Sequence, residues 1–218
     1  MSAKQKKPFE PKDADAEQRI LDAARMVFIR RGTAGARMQE IAEEAGVNQA
    51  LLHYYFRSKD RLAERVFIES ATRVFAALAP AVSADAPLET VIEQFVHRYI
   101  DEVRKSPFIP GYVLAELHHH PERIPDLLAR VTGSSANSVG RAALGGLRAR
   151  LAERVANGTM RDVSPEQFLV SIAGMVVFPF VARPLLAVAL EMHGESFDRF
   201  LDQRRIELPG FILNALRP

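Results

Sequence analysis

Residues 38–62 read MQEIAEEAGVNQALLHYYFRSKDRL, and the spacing of their apolar side chains decides the fold. Met38, Ile41, Ala42 and Ala45 fall at i, i+3, i+4 and i+7, an amphipathic stripe completed within a single short segment. Gly46 follows at once, where a left-handed residue turns the chain, and Asn48 stands where a side-chain oxygen accepts the first free amides of another helix. In that next helix Leu52, Tyr55 and Phe56 form an inward face, leaving Gln49, Ala50, His53 and Tyr54 outward. Two helices joined by a three- or four-residue turn with a glycine make a helix-turn-helix, here about residues 37–56. The second helix of such a unit fits the major groove of DNA and offers its first turns to base edges.

The outward residues suit that task. The Gln49 amide pairs bidentately with adenine, Ala50 is small enough to let the backbone come close, and Leu51 or Ala50 touches a thymine methyl. Asn48 opens the helix beside them, while Tyr54 and Lys59 are placed to hold phosphates. Arg37, at the start of the first helix of the pair, meets phosphate by charge but lacks the hydroxyl of a capping residue. A competing reading makes these three packed helices inside a larger helical protein, with Tyr54 and Tyr55 as core aromatics and Gln49 and His53 idle in solvent.

Upstream, Ile20, Ala24, Val27 and Phe28 recur on one face from Glu17 to Arg31, and Gly32 stops the helix. Residues 1–13 are polar and lysine-bearing and read as a flexible basic tail without the apolar stretch of a secretory signal. Up to Arg65 there are 13 Lys or Arg against 10 Asp or Glu; the remainder has 16 against 17. That modest asymmetry fits a DNA-reading head, residues 14–65, on a nearly neutral body, residues 66–218. Apolar residues at 48 % and charged residues at 26 % exclude a disordered chain. The absence of cysteine removes disulfides, thiolate metal sites and cysteine nucleophiles, and agrees with a reducing compartment; the expected location is the cytoplasm. No alternation of period two is bounded by turn signals, so the fold class is all-α.

Ile41-Ala42-Glu43-Glu44-Ala45-Gly46-Val47, followed by Leu52-His53-Tyr54-Tyr55-Phe56-Arg57-Ser58-Lys59-Asp60-Arg61-Leu62, resembles the signature of the TetR family of transcriptional regulators. The resemblance covers roughly residues 17–65. It implies a three-helix DNA-binding head, a fourth helix linking it to the body, and a homodimer formed through two late helices. Two positions depart from the family pattern: Arg37 replaces a common Thr or Ser, and His53 a common aromatic.

In the body, Ser58 caps a long helix carrying Leu62, Val66, Val74 and Leu78 up to Pro80, and a linker near Ser83 to Pro87 leads into a stripe of Leu88, Val91, Ile92, Phe95, Tyr99 and Val103. Pro110-Gly111 reads as an interruption before a short helix, Tyr112 to His120, and Leu127 to Asn157 reads as helical. Phe75, Phe95, Tyr99, Tyr112, Phe178 and Phe180 are candidate walls of a small-molecule pocket, with core packing as the competing role. His118-His119-His120 does not make a metal site, because consecutive helical residues point about 100 degrees apart. No cofactor is expected: Gly145-Gly146 lacks the strand of a nucleotide fingerprint, and no catalytic elbow or metalloprotease motif occurs, so the chain does not read as an enzyme.

Ser164-Pro165-Glu166-Gln167 is a capping box that launches the most apolar run, Phe168 to Ala182. The run falls short of the roughly 20 residues of a membrane span and is interrupted by Pro179, Arg183 and Pro184. A helix apolar on all sides needs burial on all sides, which a partner supplies. The expected dimer seam is Phe168, Ile172, Ala173 and Val176 with Phe197, Leu201, Leu208, Phe211 and Ile212 of the terminal helix. The functional expectation is a repressor released from a palindromic double-stranded operator by a small-molecule effector. The alternative is a helical carrier or enzyme that keeps the head only as structure.

Overall fold

A computed structural model describes residues 11–78, 86–133 and 136–218. Residues 1–10 of the expected tail, the end of the fourth helix at Pro80 and most of the Ser83 to Pro87 linker lie outside the described residues, whereas residues 11–13 of that tail belong to the first helix. The described residues form helices α1 (Pro11–Gly35), α2 (Met38–Ala45), α3 (Gln49–Phe56), α4 (Lys59–Leu78), α5 (Leu88–Arg104), α6 (Ile109–His119), α7 (Ile124–Thr132), α8 (Ala136–Ala156), α9 (Pro165–Val181), α10 (Arg183–Ala189) and α11 (Glu195–Ala215), with one 3₁₀ turn at Pro121–Arg123. No strand occurs among them. The chain divides into two compact units, Met1–Glu69 and Ser70–Pro218, and the division falls inside α4.

In the first unit α1 packs on α2, and α2 on α3. Ile20, Ala24, Val27 and Phe28 of α1 are buried with Ile41, Ala42 and Ala45 of α2, Leu52 and Phe56 of α3, and Leu62, Val66 and Phe67 of α4. The helical path of α1 breaks at Gly32 (φ 69°, ψ 161°), as its residue type suggests, but one further turn follows to Gly35.

In the second unit α11 packs on α5, α9 packs on α5, α6 and α8, and α7 packs on α8. The α5 stripe is buried throughout, from Leu88 to Val103. Three boundaries differ from the sequence reading. Pro110 and Gly111 sit in the first turn of α6, where a proline has no intrahelical donor to lose, so they start a helix instead of interrupting one. Leu127 to Asn157 divides at Gly133, whose φ of 68° closes α7. Arg183-Pro184 opens the short helix α10 for the same reason that applies at Pro110. No single helix among the described residues is long and apolar enough to cross a membrane; α9 and α10 together have the length and composition but are bent by 69°.

Candidate nucleic-acid interface

The turn between α2 and α3 is built from two local devices. Gly46 adopts φ 65° and ψ 35°, the left-handed region that a side chain makes costly, and its N–H and that of Val47 return to the carbonyls of Glu43 and Ala42. Asn48 then caps α3: its Oδ1 accepts from the Leu51 N–H at 2.7 Å. The capping task therefore occupies the Asn48 side chain, next to the outward face of α3.

Two ion pairs tie α2 to α1. Arg30 Nη2 donates to Glu44 Oε2 at 2.7 Å and Arg31 Nε to Glu40 Oε1 at 2.7 Å. The Arg30 hydrogen bond, reinforced by its charge, holds the Glu44 carboxyl below the usual carboxylate range. With α2 fixed, Leu52 and Phe56 anchor α3 from below, and Gln49, Ala50, His53 and Tyr54 are all exposed on the opposite side. Tyr54 is 77 % exposed although its ring meets Tyr55 edge-on at 5.4 Å. An aromatic left in solvent beside a donor-acceptor amide and a small residue is a surface suited to groove floor and phosphate edge. Leu51 is half-buried at the rim of this face.

Arg37 is exposed at the N-cap of α2 and makes no capping hydrogen bond. Lys59 has an internal task. Its Nζ donates to the carbonyls of Ala34 at 3.0 Å and Ala36 at 3.3 Å, so it closes the end of α1 and is only half-exposed, a role that reading from spacing did not find.

The other candidate residues separate sharply. Phe95, Tyr99, Tyr112 and Phe180 are buried in the second unit, with Tyr99 packed on Phe95 at 6.3 Å and edge-on to Phe180 at 5.9 Å. The Tyr99 hydroxyl is buried and has no hydrogen-bond partner among the described residues, and desolvation raises its pKa. Phe75 is half-buried, whereas Phe178 is 56 % exposed and does not join the Tyr99 cluster. The geometric reason is the turn of the α9 helix: Phe178 lies about 200 degrees around from Phe180.

The residues of the expected seam separate in the same way. Phe168, Ile172, Val176, Phe197, Leu201, Leu208 and Ile212 are buried within this one chain, so they form its own core. Ala173 is half-buried, and Phe211 alone of the nine is exposed. The exposed apolar side chains of the late helices include Leu169, Val170, Phe178 and Val181 of α9, Leu185 and Val188 of α10, and Ile206 with Phe211 of α11. His118 and His119 stack edge-on at the exposed end of α6, and His120 Nδ1 lies 3.1 Å from Glu122.

A three-helix core, a glycine turn, a capped α3 and an exposed polar-aromatic face define a helix-turn-helix domain at the amino-terminal end of an all-helical chain. Residues 20–66 match the bacterial regulatory proteins of the tetR family, so the family likeness is carried by this amino-terminal domain. It is 34 % identical over 113 residues to the HTH-type transcriptional repressor SCO4008 of Streptomyces coelicolor, covering 48 % of this chain and 55 % of that protein. It is 29 % identical over 112 residues to the HTH-type transcriptional repressor Rv3405c of Mycobacterium tuberculosis, covering 51 % and 56 %. The chain spans 39–56 % of the length of the curated relatives it matches. The solved structure of SCO4942 from Streptomyces coelicolor shares the fold over 93 % of this chain and 99 % of that one, with a TM-score of 0.60 at 22 % identity.

Proposed function

We propose that the protein is a sequence-specific DNA-binding transcriptional repressor that works as a homodimer and leaves its operator when a small molecule enters the second unit. The observation that carries this reading is the α3 surface: Gln49, Ala50, His53 and Tyr54 stand exposed on a helix whose inner residues Leu52 and Phe56 are buried. Gln49 and Ala50 read base edges; Tyr54 and Arg37 hold phosphates. Two copies related by a two-fold axis address half-sites about one turn apart, ~34 Å.

The effector site is the aromatic cluster of the second unit. A buried hydroxyl without a partner, Tyr99, supports it, because such a group costs about 1–3 kcal/mol until something accepts its proton. Effector binding favours a spacing of the heads that no longer fits successive grooves, coupled through α4.

The test is a gel shift with sites selected from random DNA. Retardation that weakens steeply with salt, and more sharply with Gln49→Ala on selected than on random DNA, is the expected result. Absent or salt-insensitive binding would leave the carrier reading in its place.

A further inference from the structure

The charges of α11 are treated unequally. Arg205 pairs with Asp101 of α5 at 3.0 Å, and Asp202 with Arg104 at 2.6 Å. Arg204 and Glu207 have no ion-pair partner among the described residues, yet Arg204 is desolvated enough to depress its pKa. Its Nη2 donates to the Met175 carbonyl at 2.5 Å, its guanidinium lies 5.7 Å from the centre of the Phe200 ring, and its Nε is buried without a partner.

The Met175 contact has a covalent cause. Pro179 carries no N–H, so the carbonyl four residues earlier, that of Met175, lacks its helical donor. Arg204 supplies one from α11, which fixes the guanidinium at the edge of a groove of about 470 Å³ that Phe200, Glu207 and Phe211 also line. Glu207 accepts from Gln203 Nε2 at 2.9 Å. One groove thus holds a cation and an anion one turn apart, neither with an ion-pair partner among the described residues, beside a 64 % exposed Phe211.

We infer that this groove receives α11 of a second copy of the chain, with Arg204 of each copy pairing with Glu207 of the other. A two-fold axis perpendicular to α11 and crossing it between residues 205 and 206 brings Arg204 against the other copy's Glu207, and in the same register Phe200 against its Phe211. The first contact joins two charges that have no ion-pair partner among the described residues, the second covers the exposed Phe211 ring, and both come from one axis position. The open space at Gly210 of α11 and Gly174 of α9 lets the helices approach closely. The inference rests on the homodimer proposed above and specifies the residues that set its register.

Sedimentation equilibrium of the full-length chain, with circular dichroism to check folding, tests it. Glu207→Arg, at an exposed position, and Arg204→Glu each place like charges across the axis twice and should raise the dimer Kd by about 100-fold or more. The double swap Arg204→Glu/Glu207→Arg should return it to within about tenfold of the unsubstituted chain. If Arg204→Glu does not fold, Glu207→Arg alone decides. A Glu207→Arg chain that dimerises as tightly as the parent, or a double swap no tighter than the singles, overturns the pairing while leaving the dimer. A parent chain that stays monomeric at tens of micromolar overturns the homodimer and the pairing together.

Discussion

Arg25 of α1 reaches Glu69 of α4: its Nη2 donates to Oε2 at 3.3 Å while its Nη1 donates to Asp22 at 2.6 Å. The Arg25 side chain is only 9 % exposed, and Glu69 also receives Arg65 at 3.2 Å. The guanidinium therefore joins the first helix of the amino-terminal unit to the last residue of that unit. A double-mutant cycle with Arg25→Met and Glu69→Gln, read by urea unfolding of the full chain, should give a coupling of about 1–2 kcal/mol, between the values for exposed and fully buried pairs. A coupling near zero would make this an incidental contact.

Asn48 caps α3 while the proposed function makes Gln49 a base reader, and DNA binding should tell the two apart. Asn48→Ala removes the acceptor of the Leu51 N–H and should cost about 1 kcal/mol of stability, visible in urea unfolding. Gln49→Ala, at an exposed position, should leave stability within about 0.5 kcal/mol and weaken binding to selected sites by about 1–3 kcal/mol. Equal losses on random and selected DNA for Gln49→Ala would remove it from base reading.

Gly46 has open space where a Cβ would go, so its constraint is its φ of 65° and not crowding. Gly46→Ala should destabilise the chain by about 1 kcal/mol, and Gly46→Asn by less, because asparagine tolerates the left-handed region. Thermal unfolding of the two variants side by side checks the order.

Tyr99→Phe deletes a buried hydroxyl that no described group satisfies. The unliganded protein should be unchanged or more stable by up to about 1 kcal/mol, the opposite of the usual core substitution. Under the proposed function, the same variant should need more effector to leave DNA. A loss above about 1 kcal/mol in the unliganded state would mean that the hydroxyl is already satisfied.

The head was legible because its signals are local. The turn is written in Gly46 and Asn48, and the α2 stripe repeats within about two turns, so no distant contact is needed to read them. The outward set on α3 follows from the same arithmetic. Lys59 was not legible, since the carbonyls it meets at Ala34 and Ala36 become its neighbours only after α1 and α4 have packed.

The late helices show a different limit. Apolar spacing marks Phe168, Ile172 and Val176 for burial but does not say against which chain, and the strongest stripe turned inward. Val170 and Phe178 of α9 and Ile206 and Phe211 of α11, equally apolar in the sequence, stay exposed. Arg183-Pro184 misled for a related reason, as proline stops a helix in its interior and starts one at its first turn.

Pro179 has a mechanical consequence beyond the bond it omits. Sliding α9 past α11 by one turn, about 5.4 Å, would carry the Met175 carbonyl away from its borrowed donor and strand it. Ratcheting between these two helices would therefore give up that hydrogen bond, a cost of about 1 kcal/mol.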